Sequence, residues 1–166
     1  MKITAKICAY IICGLIVLVY GCQNSKSNQS LLMKKWQYTS YSWKYFDDEI
    51  NTLNKRLNDA TDSAKKTIYA DSIKLINSVL EGAKNVTLQF NKDATVFMEY
   101  PDANGGAEAK KGKWQLFNNG KKLQLTPFYP EKDTLIIKKI TSDTLIITGV
   151  SRSYPFSVTC KAVSKN

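Results

Sequence analysis

The sequence predicts a mainly β chain, α+β by content, with about eight antiparallel strands in a sandwich or barrel and a helical stretch between the first strand and the second. Three observations carry this. After Asn85, short alternating or aliphatic runs are separated by turn residues, and no helical signal returns. Before it, Ile50, Leu53, Leu57, Ala60 and Ala64 step by threes and fours, as do Tyr69, Ile73, Ile76, Leu80 and Ala83, which is the helical period. Ahead of both, aromatic residues recur at every second position, the period of a strand.

The chain opens on Lys2 and Lys6, runs from Ile7 to Tyr20 for 14 residues without a charge, and reaches the small residue Gly21 before Cys22. A positive start, an apolar run and a small residue are the layout of an export signal. As a helix this run would reach ~21 Å, short of the ~30 Å hydrocarbon core that a permanent span must cross. Leu18-Val19-Tyr20-Gly21-Cys22 resembles the lipobox cut by the lipoprotein signal peptidase. The resemblance implies that residues 1–21 are removed and that the Cys22 sulfur takes a diacylglycerol. Several acyl chains of the palmitate kind anchor firmly, since each buried methylene adds about 0.8 kcal/mol. Residues 22–30, rich in Ser, Asn and Gln, read as a flexible tether. The expected partner at this end is the lipid bilayer. The tail after Cys22 lacks an early aspartate or acidic cluster. For lipoproteins that pattern implies the inner leaflet of an outer membrane, facing the periplasm, with exposure at the cell surface as the alternative.

Cleavage before Cys22 leaves 145 residues, a length that fits one domain over 31–166 with a single core. Cys8 and Cys13 leave with the signal and Cys22 is acylated, so Cys160 has no disulfide partner and the fold stands on packing. The mature chain carries 22 basic against 14 acidic residues. After export, that excess points to an envelope glycan, protein or lipid head group rather than to nucleic acid.

From Leu31 to Phe46 aromatics crowd together. Trp36 and Tyr38 alternate, and Tyr41, Trp43 and Tyr45 alternate again, which reads as the first strand. Asp47, Asp48 and Glu49 suit the positive start of a helix, so the helical insertion is read over 47–83. Its two apolar stripes do not share a face. Between them Asn58-Asp59-Ala60-Thr61-Asp62-Ser63 favours caps over helix interior, giving two helices or one kinked helix. Gly82 and Lys84 supply a C-terminal stop. Val86, Leu88 and Phe90 then alternate, 91–93 turn, Thr95 to Tyr100 run back, and Pro101 to Gly106 form a loop. Lys113 to Phe117 pairs with Leu123 to Thr126 across Asn118-Asn119-Gly120, a strong hairpin signal. Asp133-Thr134-Leu135-Ile136-Ile137 recurs ten residues on as Asp143-Thr144-Leu145-Ile146-Ile147, a hairpin's period rather than a solenoid's. Tyr154, Phe156, Val158, Cys160 and Ala162 form the last strand, with Pro155 marking an edge at its start.

The runs LQFNKDATVFMEY, GKWQLFNNGKKLQLT and DTLIIKKITSDTLIIT resemble the small lipocalin-like domains of bacterial lipoproteins. The match covers residues 86 to 148, and Trp36 sits where such domains place a tryptophan on their first strand. Two positions depart from the pattern: Asp93-Ala94 stands in place of Asp-Gly, and Trp36 follows two lysines. The resemblance implies a lipocalin-like antiparallel barrel of about eight strands, with the helical insertion capping one mouth or packing outside.

There is no histidine, and Cys160 alternates with apolar residues, so nucleophile–base pairs and histidine metal sites are unavailable. No catalytic set, metal site or cofactor is expected, and Asp47, Asp48 and Glu49 already have a structural role at a helix start. Trp36, Tyr38, Tyr41, Trp43, Tyr45 and Trp114 are candidates to line a pocket for a small apolar or amphiphilic ligand, or else form the core. Lys110, Lys111, Lys121 and Lys122 are candidates for a basic patch facing glycan or lipid, or else are a solvated surface guarding strand edges. Asp62-Ser63-Ala64, Asp71-Ser72-Ile73, Asp133-Thr134-Leu135 and Asp143-Thr144-Leu145 resemble acceptors of some Gram-negative O-glycosylation systems. The expected function is a membrane-anchored ligand-binding module. The alternative is an envelope interaction protein that docks through its basic face or helical insertion, with no small-molecule site.

Overall fold

The computed structural model describes residues 28–101, 106–128 and 134–164. The expected signal, Cys22 and residues 22–27 of the tether lie outside these. Eight strands close into an antiparallel barrel in sequence order, β1 to β8. They are β1 (Lys35–Trp43), β2 (Thr87–Phe90), β3 (Thr95–Pro101), β4 (Ala107–Phe117), β5 (Lys122–Thr126), β6 (Leu135–Ile140), β7 (Thr144–Ser151) and β8 (Tyr154–Ala162). Two helices, α1 (Lys44–Asp59) and α2 (Ser63–Ala83), join β1 to β2. Closure gives every strand a neighbour on both sides, and the up-and-down order of eight strands is that of a lipocalin-like barrel. Pro155 sits one residue beyond the last β1–β8 pair, Trp43↔Phe156, where its missing N–H costs no ladder bond on that side.

The phase change in the aromatics has a structural cause. Register slips between Tyr38 and Ser40 against β8, so Thr39 is an extra residue. Trp36 and Tyr38 pair before the slip with Ala162 and Cys160, and Tyr41 and Trp43 pair after it with the inward residues Val158 and Phe156. A bulge moves the chain by one residue and so turns the odd-numbered aromatics to the face held by the even-numbered ones. Tyr45 does not continue the series. The β8 ladder ends at Trp43, and α1 begins at Lys44 rather than at Asp47. Asp47 still lies in the first turn, and Lys44 Nζ bonds Asp48 Oδ1 at 2.8 Å. The insertion is two helices, broken where the Asp62 carboxylate accepts from the Ala64 and Lys65 amides.

Each copy of the aliphatic repeat behaves alike. Leu135 and Ile137, and Leu145 and Ile147, point into the core, while Ile136 is exposed. Each fully buried aliphatic contributes about 1.5–3 kcal/mol. One end of the barrel is shut by a helical turn at 28–32, which puts Leu32 fully inside. Residues 28–30, expected to belong to the tether, are therefore part of the fold, and Asn28 Nδ2 donates to Gly120 O at 3.3 Å. The β2–β3, β4–β5 and β6–β7 hairpins lie at this closed end. The helices and the 152–153 turn lie at the open one.

Asp93-Ala94 keeps the turn that glycine would make more cheaply. Ala94 has φ 63°, left-handed backbone that a Cβ disfavours, while Asp93 accepts from Thr95 N and Oγ1. Ala94→Gly should stabilise the protein by roughly 0.5–1 kcal/mol. The check is a raised urea midpoint at unchanged slope.

Candidate functional site

The candidate aromatic residues divide by depth. Trp36 is fully buried, with its indole N–H donating to Leu32 O at 3.0 Å and Lys34 over its ring. Trp114 donates to Asn91 O at 3.1 Å and packs edge-on against Phe90. Tyr38 is buried beside them. A side chain with no surface open to a water-sized sphere borders no void that can hold water. Trp36, Leu88, Val96, Leu123, Leu145, Ile147 and Cys160 all meet that condition at 0% exposure, so the barrel is solid around them. Trp36, Tyr38 and Trp114 hold the core together.

Tyr41 and Trp43 lie nearer the open end and are half-buried. Burial raises the Tyr41 phenol above its ordinary pKa. Trp43 Nε1 is shielded from solvent without a hydrogen-bond partner. Tyr45 and Phe46 on α1 and Tyr154 on β8 complete a cluster about Trp43. Ring centroids are 5.1 Å apart for Trp43–Tyr45, 5.0 Å for Trp43–Phe46 and 5.3 Å for Tyr45–Tyr154.

Beside the cluster lies a cleft of about 880 Å³ between the start of α1 and β6 to β8. Its floor includes Ile136, Val150 and Pro155, and its wall carries Lys44, Asp47 and Asp48. Ile136 is 41% exposed and Val150 57%, large apolar surfaces left open on one face. The Asp48 carboxylate holds the Lys44 ammonium above its ordinary pKa, chiefly by their hydrogen bond. The arrangement offers apolar contact below and both signs of charge at the side. Sequence reading missed this floor, because alternating Ile136 and Val150 look like ordinary strand positions until the register places them together.

The four lysines of the candidate patch do not form one surface. Lys110 and Lys111 lie on β4 beyond its pairing with β5, over the rings of Tyr100 and Phe97. Lys121 and Lys122 lie at the β4–β5 hairpin of the closed end. Of the candidate glycosylation hydroxyls, Ser72 donates to Ile68 O and Thr144 to Asp143 Oδ1. Among the described residues no three His, Cys, Asp or Glu side chains gather as metal ligands would, and no helix is long and apolar enough to cross a membrane.

No family model and no curated protein matches the chain. Among solved structures it is similar to a lipocalin-like protein from Bacteroides uniformis, at 13% identity and a TM-score of 0.44 over 80% of this chain and 99% of that one. It is also similar to a DUF4847 family protein from Bacteroides vulgatus, at 12% identity and a TM-score of 0.39 over 82% of this chain and 96% of that one. The fold assignment rests on the closed order of the chain's own strands.

Proposed function

We propose that the chain is a lipid-anchored binding module of the cell envelope, which holds a small amphiphilic ligand at the open end of its barrel. The observation that carries this reading is the cleft of about 880 Å³ with an apolar floor and a charged wall. Small-molecule sites span roughly 300–1,000 Å³ and combine apolar lining with a few polar groups. Anchoring through an acylated Cys22, with the protein at the periplasmic face of an outer membrane, rests on the signal and lipobox pattern.

Titration with the apolar fluorophore N-phenyl-1-naphthylamine tests the cleft. Ile136→Asp and Val150→Asp place carboxylates on exposed positions, where stability changes are within about 0.5 kcal/mol. Each should weaken probe binding by at least about tenfold, the cost of desolvating a charge against an apolar ligand. Unchanged affinity in both variants would remove the reading. The alternative, an envelope interaction protein docking through its helical insertion, draws on Ile68, Leu75 and Val79, which leave an exposed apolar stripe on α2. Probe binding that survives the cleft variants but falls on Leu75→Asp would favour it.

A further inference from the structure

We infer that the closed end of the barrel is a docking face for an anionic lipid surface. It deepens the anchored reading, which supplies only the means of holding this face near a membrane. Lys92 on the β2–β3 turn, Lys121 and Lys122 on the β4–β5 hairpin, Lys139 near the end of β6 and Lys161 near the end of β8 are all exposed. They converge because hairpins and chain termini alternate around a closed barrel, so residues from distant parts of the sequence share one rim. Lys34 and Lys35 join them, Lys34 Nζ donating to Ser142 O at 2.8 Å and Lys35 pairing with Glu99 at 2.6 Å. Besides Glu99, the facing acids are Asp93 and Asp143, each held by threonine hydroxyls of its own turn, Thr95 and Thr141 first. Three carboxylates do not offset the seven ammonium groups.

Apolar surface lies among these charges. Phe117 is 38% exposed and Val163 40%. A notch of about 410 Å³ between Met33, Lys34, Gln89, Lys92 and Val163 combines apolar lining with lysines at its edge. Such a notch suits a phosphate head group with the upper part of its acyl chains. The occupant follows from where the chain leaves the barrel. Asn28 is fixed to the β4–β5 hairpin at this end, and Cys22 precedes it by only six positions, a span of at most about 20 Å. An acyl group on Cys22 therefore brings this end, and not the cleft at the other, to the bilayer. The open end then faces away from the membrane and stays free to exchange ligand.

The test uses an unacylated chain beginning at Gln23. All eight strands close on one another within the described residues, so this chain contains the whole barrel. Sedimentation with vesicles of mixed phosphatidylglycerol and phosphatidylcholine should pull the protein down, whereas phosphatidylcholine alone should not, and added salt should release it. Each lysine near an anionic surface multiplies affinity on the order of fivefold. Lys92→Glu/Lys121→Glu/Lys122→Glu should therefore lower binding well over tenfold. Lys65→Glu/Lys66→Glu/Lys74→Glu on α2, with the same net charge, should leave binding close to the parent. Equal losses in the two triple variants, or no preference for the anionic vesicles, overturn the proposal. Acylation of Cys22 is read separately by mass spectrometry of the native protein, so failure of the anchor and failure of the face are told apart.

Discussion

Trp36→Ala should unfold a large fraction of the protein or leave it barely stable, while Trp43→Phe should fold normally. Both residues lie on β1 and both face inward, so the contrast isolates what each ring does. Trp36 has no exposed surface, and its N–H is bonded to Leu32 at the turn that shuts the barrel. Removing so large a buried ring costs about 3–5 kcal/mol, and it also deletes the indole bond to the Leu32 carbonyl, which keeps only the Lys34 amide. Against a total stability of about 5–15 kcal/mol this is a large share. Trp43 has the opposite balance, since its N–H is shielded and unpaired. Phenylalanine removes that unpaired donor, so stability should hold or rise by up to about 1 kcal/mol. Urea unfolding of the two variants decides the matter. A stable Trp36→Ala protein, or a Trp43→Phe protein markedly less stable than the parent, would contradict these roles.

The sheet was legible because its information is local. Asn118-Asn119-Gly120 announces a hairpin, and all three residues have positive φ, at 52°, 55° and 77°. The repeated Asp-Thr-Leu-Ile-Ile runs announce two strands, which become β6 and β7. The two-phase aromatic pattern also held the bulge at Thr39, although only the partner strand shows that the phase change leaves the face unchanged. Misreading began where an element depends on its neighbour. Tyr45 continues the alternation in sequence, yet β8 offers no partner beyond Trp43, and the chain turns helical at once.

The site was less legible than the fold, and for the same reason. A cleft between the start of α1 and the outer face of β6 to β8 joins residues about a hundred positions apart, and no spacing rule links them. Aromatic spacing alone does not separate ligand contact from core packing: Trp36 and Trp114 donate their N–H groups to backbone carbonyls. The lysine pairs were visible, but not their grouping, because Lys110–Lys111 lie on β4 beyond its pairing with β5, whereas Lys121–Lys122 lie at the β4–β5 hairpin. Closure of the barrel gathers one pair with Lys92, Lys139 and Lys161, and separates it from the other.

Cys160 gives the largest expected change in reactivity. It is fully buried on β8, and burial pushes its thiol up to about 12. Thiolate is the reactive form, so in the native protein both access and ionisation are withheld. Iodoacetamide should label the chain beginning at Gln23 only through global opening, at least about a thousandfold more slowly than in denaturant. The same shift has a signed effect on stability. An unfolded cysteine ionises near pH 9, whereas the folded one keeps its proton to about 12. The stabilisation is complete below pH 9 and is lost as pH rises from 9 through 12. The slope is about 1.4 kcal/mol per pH unit and the total no more than about 4 kcal/mol. Tyrosines and lysines titrate in the same window, Tyr41 with its own upward shift, so the quantity to read is a difference. Cys160→Ala lowers stability at neutral pH by deleting a buried sulfur, but its decline above pH 9 should be shallower than that of the parent. Parallel alkaline declines, or rapid labelling of the native thiol, would mean that the barrel opens at β8 far more readily than its packing allows.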